Sequence, residues 1–214
     1  MISGVSSSVW AGTTLEERRN GRRSALLAAA LELFGTEGSQ AVTVRSVCRA
    51  TKLTDRYFYE NFANRDELVL AVYDQVLDEA SEALTRAVAQ PNDNPVEVAR
   101  AAVDAFVAVL ADDRRKGRIL LLEPQADLTL RERGLARMPT FEGLIRAQLD
   151  TVATAPYVAE LGASALIGAL SNLFIGWLEG TLKVTREQLV DYCVALLLAG
   201  LRLASEGGTS QGVT

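Results

Sequence analysis

Between Asp55 and Tyr59 the chain reads Asp-Arg-Tyr-Phe-Tyr, with a second phenylalanine at Phe62. Those side chains have a definite chemistry. A guanidinium can donate two parallel hydrogen bonds to a guanine edge, and a tyrosine hydroxyl can hold a phosphate oxygen. Phe58 and Phe62 lie four apart, so on a helix they share one inward face. The outer face then carries Asp55, Arg56, Tyr57 and Tyr59. A short helix that buries two phenylalanines and presents Arg, Tyr and Tyr is suited to a DNA groove, with Arg56 and Tyr57 as candidates for base edges and Tyr59 for phosphate.

Elements on both sides must hold this surface in place. Val42 to Leu68 reads as two short helices and the start of a third. Thr43 is placed to cap the first, because its hydroxyl can accept from an orphan N–H at a helix start. Val44, Val47 and Cys48 follow on one face. Leu53 tethers the turn, and Thr54 is placed to cap the second helix. Asn64-x-x-Glu67 forms a capping box for the third, whose first-turn N–H groups attract phosphate, with Arg65 adding charge.

The string T-V-R-x-V, followed by L-T-x-R-Y-F-Y-x-x-F-x-N-R-D-E-L, resembles the DNA-binding domain of the TetR family of repressors. The resemblance implies a helix-turn-helix in which Tyr59 is a phosphate-binding tyrosine and Phe62 a core residue. Arg65 stands where a lysine is usual at the start of helix 4, and Thr43 and Arg45 match helix-2 positions that touch backbone or bases. Thr43, Thr54, Tyr59 and Arg65 are thus expected on phosphate, with Arg45 as a third base reader. Lys52 departs from a frequent turn glycine and is expected at positive φ. Arg56 replaces a small residue, so no base preference carries over. The resemblance spans about residues 15–75 and is architectural beyond.

The net charge of −5 is unusual for a DNA binder, but its distribution is not. Residues 14–66 carry 9 Lys/Arg against 7 Asp/Glu, and the remainder 13 against 20, which discourages the body from adhering to DNA. Apolar residues make up 49% of the 214, and Ala, Leu, Glu and Arg are abundant, favouring an all-α globular chain. Cys48 and Cys193, without a C-x-x-C, read as reduced core residues of a cytoplasmic protein; a redox sensor is the alternative. Residues 1–13 contain no positive charge and no long apolar run, so no signal peptide is expected, only a disordered tail in which Trp10 alone can dock.

In order, helix 1 is expected over Leu15–Phe34, capped by Thr14 and Glu17 and ended by Gly35 and Gly38, with Leu26, Ala30, Leu33 and Phe34 inward. Arg18, Arg19, Arg22 and Arg23 form either a solvated basic face or a phosphate contact. Helix 4 continues to about Ala89, roughly 38 Å, long enough to join a head (14–63) to a body (64–205). Helix 5 spans about Val96–Leu110. Asp112 and Asp113 start a short helix whose Arg114, Arg115, Lys116 and Arg118 read as ion-paired surface. Helix 7, Leu128–Val152, is expected to break near Gly134 and Pro139.

Leu161–Leu178 carries no charge. Its serines, asparagine, glycines and acidic flanks argue against a membrane span and for a helix buried all round in protein. Ser164, Gly168, Asn172, Gly176 and Gly180 recur every four residues, giving a small-residue row that a second helix can approach. The last helix, capped by Thr185 and Gln188, offers Leu189, Cys193, Leu196, Leu197 and Gly200. Two such helices from each of two chains make a four-helix homodimer interface, as the resemblance also implies; the alternative is a monomer core. The tail after Glu206 is expected to be disordered.

There is no histidine, which excludes a Ser-His-Asp triad and His metal ligands, and no phosphate-loop or dinucleotide fingerprint. No catalytic dyad and no cofactor are expected. The reading is an all-helical homodimer of about nine helices per chain, binding a palindromic double-stranded operator and released by a small effector. Walls for that effector are expected from Phe106, Leu110, Leu121, Phe141 and Ile145, with Gln125 or Asn172 as polar handles; each is also an ordinary core candidate. Three to four phosphate pairs per head give a salt slope of roughly −5 to −7. A helical ligand-binding or interaction dimer with a degenerate head, and a cofactor-free helical enzyme, remain as alternatives.

Overall fold

The computed structural model describes residues 15–206. Trp10, the Thr14 cap and the tails before Leu15 and after Glu206 lie outside the described residues. Within that range the chain forms α1 (Leu15–Glu37), α2 (Val44–Thr51), α3 (Asp55–Tyr59), α4 (Arg65–Val88), α5 (Pro95–Ala111), α6 (Arg114–Gly117), α7 (Leu128–Leu149), α8 (Pro156–Leu178) and α9 (Arg186–Glu206), with no strand among the described residues. A 3-10 turn (Ser39–Ala41) joins α1 to α2. A π-helical turn (Arg118–Leu122) and a 3-10 turn (Glu123–Gln125) join α6 to α7.

Local chemistry sets most of these limits. The Thr43 hydroxyl accepts from Ser46 N at 3.0 Å, and Ser46 returns a bond to the Thr43 backbone. Asn64 accepts from Glu67 N at 2.9 Å, while the Glu67 carboxylate reaches one residue further back than a capping box requires, to Ala63 N. Asn94 caps α5 with Pro95 at the first turn, where a missing N–H costs nothing. Thr185 and Gln188 form the expected box at α9.

Two sequence expectations about breaks are corrected. α1 does not stop at Gly35 but runs on to Glu37, and Gly38, at φ 100°, makes the turn. Gly35 is needed for approach instead: a Cβ there would lie 2.2 Å from the Arg115 Cβ, so only glycine lets α6 seat on α1. α7 is continuous through Gly134 and Pro139. Its alignment on α4 is held by Arg133, which grips Asp74 with two bonds of 2.7 Å, and by Arg137, which pairs with Asp78. Both pairs keep the same sequence offset, so α7 runs in the same direction as α4.

One buried cluster extends from Leu26 of α1 through Phe34, Phe58, Phe62 and Val72 to Val107 and Val194. The apolar core is thus shared between the head and the helices behind it. A smaller cluster around Leu149, Ala163, Leu166 and Ala204 closes the far end. The basic run after α5 joins head to body as an ion-paired seam. Arg115 pairs with Asp113 and Glu32, and Lys116 with Glu79. Arg118 donates to the Thr36 carbonyl at 2.7 Å, and Glu123 accepts the Ser39 N–H at 2.9 Å.

Candidate nucleic-acid interface and its helical support

α3 has only five residues, too few to be stable alone, so its surroundings hold it. Phe58 and Phe62 are 0% and 1% exposed, with ring centroids 6.0 Å apart. Lys52 closes α2 in the left-handed region at φ 56°, and its N–H reaches the Cys48 carbonyl. The arginines of α1 complete the support. Arg19 and Arg23 donate to the carbonyls of Glu60 and Asn61, each at 3.1 Å, and Arg22 stacks on the Tyr57 ring at 4.6 Å. Cations on the last carbonyls of a helix favour its dipole. Arg22 and Arg23 are half-buried against the reading helix and Arg19, though exposed, is tied to the same turn, so the three support it from behind.

The outer surface is open as expected. Asp55, Arg56, Tyr57 and Tyr59 are exposed, Tyr59 at 59%. The Arg56 side chain is 85% exposed and held only by Glu60, Nε to Oε1 at 3.1 Å. Arg45, Arg49 and Lys52 are exposed and have no anionic partner among the described residues. Arg49 was missed in the sequence, where nothing but its place in the last turn of α2 marks it.

Two site expectations are corrected. Thr54 sits at the cap position of α3, but its side chain makes no cap bond and stays exposed. Arg65 is not a free cation: its Nε donates to the Val42 carbonyl at 2.9 Å, a second nitrogen to the Ser39 carbonyl, and the third pairs with Asp66. It braces the α1–α2 connection, and by its contacts it is a structural residue.

Residues 26–72 match the profile of the bacterial regulatory proteins of the tetR family. That stretch runs from α1 into α4 and contains the whole surface just described. The head is a TetR-family DNA-binding domain. Among its relatives, the HTH-type transcriptional regulator HbdR of Aromatoleum sp. (strain CIB) is 28% identical over 99 residues, a match that spans 46% of this chain and 42% of that protein. Among solved structures, a putative transcriptional regulator from Pseudomonas aeruginosa PAO1 superposes with a TM-score of 0.70 at 19% identity, covering 91% of this chain and 99% of the other. The fatty acid degradation regulator FadR from Bacillus halodurans gives 0.69 at 18% identity, covering 85% and 96%. These likenesses show that the fold extends over the body as well as the head.

Behind the head, α4, α5, α7, α8, α9 and the π-helical turn line a half-open cavity of about 190 Å³. Phe106, Leu121, Phe141 and Ile145 line it as expected. Leu110 does not; it is fully buried in the last turn of α5. Gln125 is exposed and bonds to the Leu121 carbonyl, and Asn172 faces outward, so neither is a handle. The polar side chains on the wall are Tyr73, Gln148 and Ser171. Burial, with a smaller push from Asp74, raises the Tyr73 phenol to about 12, so it stays protonated.

α8 is not buried all round. Ala159, Ala163, Leu166, Leu170 and Phe174 face the protomer core, while Leu161, Ser164, Gly168 and Asn172 lie exposed on the other side. Gly176 is covered by its own C-terminal turn, with the Leu182 side chain 3.0 Å from a Cβ placed there. On α9, Leu189 and Cys193 are core residues at 2% and 0% exposure, and Leu197 lines the cavity. The face that α9 offers outward carries Tyr192, Ala195, Ala199 and Leu203, with Leu196 at its half-buried edge. Both α8 and α9 are long and apolar enough to cross a membrane by length and composition, but each packs one face against this chain.

Proposed function

We propose that the chain is a cytoplasmic, sequence-specific DNA-binding repressor that acts as a homodimer and leaves its operator when a small molecule fills the body. The observation that carries this reading is the exposed Arg56–Tyr57–Tyr59 surface of α3, fixed from behind by two phenylalanines and three arginines. Arg56 and Tyr57 read base edges, with Arg45 beside them. Thr43, Thr54 and Tyr59 hold phosphate, and Asp55 stands at the groove edge. Arg56 exchanges Glu60 for a base at little cost, because an exposed pair of this kind is weak.

Two copies pair through the exposed faces of α8 and α9, so that two reading helices meet successive major grooves about 34–36 Å apart and the operator is palindromic. Release follows from the π-helical turn. Its Leu120 and Leu121 line the cavity, and the flanking Arg118 and Glu123 grip Thr36 and Ser39 at the end of α1. An occupant that favours a different setting of this turn shifts the heads away from groove spacing. The Bacillus halodurans neighbour is a fatty acid degradation regulator by its title; at 18% identity that likeness carries the fold and not the ligand.

A gel shift with duplex DNA flanking the protein's own gene tests the reading. A retarded band competed by specific and not by random duplex supports it. Binding indifferent to sequence, or absent at low salt, overturns it.

A further inference from the structure

We propose that the cavity takes an elongated, uncharged apolar molecule with one hydrogen-bond acceptor, such as an ester, ketone or lactone carbonyl, and that the Tyr73 hydroxyl donates to that acceptor. The proposal rests on the effector reading above and gives the ligand its chemistry.

The shape comes from the helices. Along α4 the wall runs from Tyr73 to Val88, about 22 Å at the α-helical rise. Along α7 it runs from Gly134 to Gln148, a similar length in the same direction. Tyr73 and Gly134 therefore mark the end nearer the DNA-binding head, and Val88 and Gln148 the far end. A lining that extends over that length along two helices suits a chain better than a disc.

The charge comes from the lining. No Asp, Glu, Lys or Arg contributes to it among the described residues. Arg133 and Arg137 border it on α7, but their guanidinium groups are turned to Asp74 and Asp78. An anionic headgroup carried inside would lose its water and find no counter-charge.

The acceptor comes from Tyr73. This residue is 2% exposed, lines the cavity, and has no hydrogen-bond partner among the described residues for its hydroxyl. Buried phenols are ordinarily bonded, so an open one in an apolar wall marks where a ligand's polar atom sits. Gly134 keeps that place clear: a Cβ there would lie 2.6 Å from the Tyr73 oxygen. The phenol is held in its protonated form by burial, so across the neutral range it has a proton to give.

Isothermal titration of the full-length protein at neutral pH with methyl decanoate, decane and sodium decanoate tests this, using the parent and Tyr73→Phe. Methyl decanoate binds the parent, and Tyr73→Phe weakens it roughly three- to tenfold, the range of one net hydrogen bond. Decane binds parent and variant alike, and decanoate binds at least roughly tenfold more weakly than the ester. Equal ester affinity in parent and Tyr73→Phe, decanoate binding as tightly as the ester, or no binding of any of the three overturns the proposal. Gel shifts on the same samples keep the two readings apart. Ester bound through Tyr73 without DNA release contradicts effector gating and leaves the ligand class standing. DNA release by a charged compound, with the ester unbound, contradicts the ligand class and leaves gating standing.

Discussion

Replacing Glu123 by alanine removes an acceptor on which the joint between head and body depends. One carboxylate oxygen takes the Ser39 N–H at 2.9 Å and the other takes Arg118 Nε at 2.9 Å, while Arg118 also holds the Thr36 carbonyl. Ser39 is 4% exposed, so its N–H is left without a partner, at about 1–3 kcal/mol. The Arg118 side chain is 36% exposed, and solvent screening limits its share to about 1 kcal/mol or less. For a chain of this length each kcal/mol is about 2–4 °C in Tm, so Glu123→Ala should melt roughly 5–10 °C below the parent by scanning calorimetry. Glu123→Gln keeps one carbonyl oxygen for the Ser39 N–H and should lose less than half as much. A Glu123→Ala protein melting within roughly 1 °C of the parent would refute the reasoning, as would Glu123→Gln falling as far as alanine.

Further outcomes follow from the same contacts. With Arg49 and Lys52 free of anionic partners on each head, two heads neutralise about four phosphates, so log K should fall with log salt at a slope of about −4; a fluorescence-anisotropy slope near zero would contradict the interface. Gly168→Glu adds a charge where a Cβ meets no neighbour in the protomer, so the fold should persist while sedimentation at micromolar concentration shows monomer; an unchanged dimer would place the interface elsewhere. Burial raises the Cys193 thiol from 9.0 to about 11 and the Tyr73 phenol from 10.0 to about 12. Both groups are neutral when folded, so their contributions are complete below pH 9 and fade as pH rises to about 12. Cys193→Ala should flatten the first part of that decline in urea titrations, and a parallel curve would show that Cys193 does not cause it.

The head was legible because its signals are local. Caps at Thr43 and Asn64, the Phe58/Phe62 spacing and the positive φ of Lys52 each depend on a few neighbouring residues. Arg65 and the α1 arginines were not legible, since their partners are carbonyls 23 to 41 residues away. In the body the difficulty was phase. α8 is apolar on nearly every side, so no stripe tells which face turns inward. One residue turns the helix by about 100°, which is the difference between the expected handle Asn172, facing out, and the wall residue Ser171. Leu189 and Cys193 failed for a related reason: an apolar face suits a protomer core and a dimer seam equally. By residue type Gly134 and Pro139 read as breaks, whereas α7 is continuous through both, with the Arg133–Asp74 and Arg137–Asp78 pairs tying the turns before Pro139 to α4.

The measurement closest to the central claim is selection of bound duplexes from a random library, run in parallel with the parent and with Arg56→Ala. The parent should enrich a two-fold site with half-site centres about one helical turn apart. Arg56→Ala should keep that spacing while discrimination relaxes by about 1–3 kcal/mol at one base pair in each half. Enrichment of no motif by the parent, or the same motif with undiminished preference from both proteins, would contradict the assignment of α3 as the reading helix.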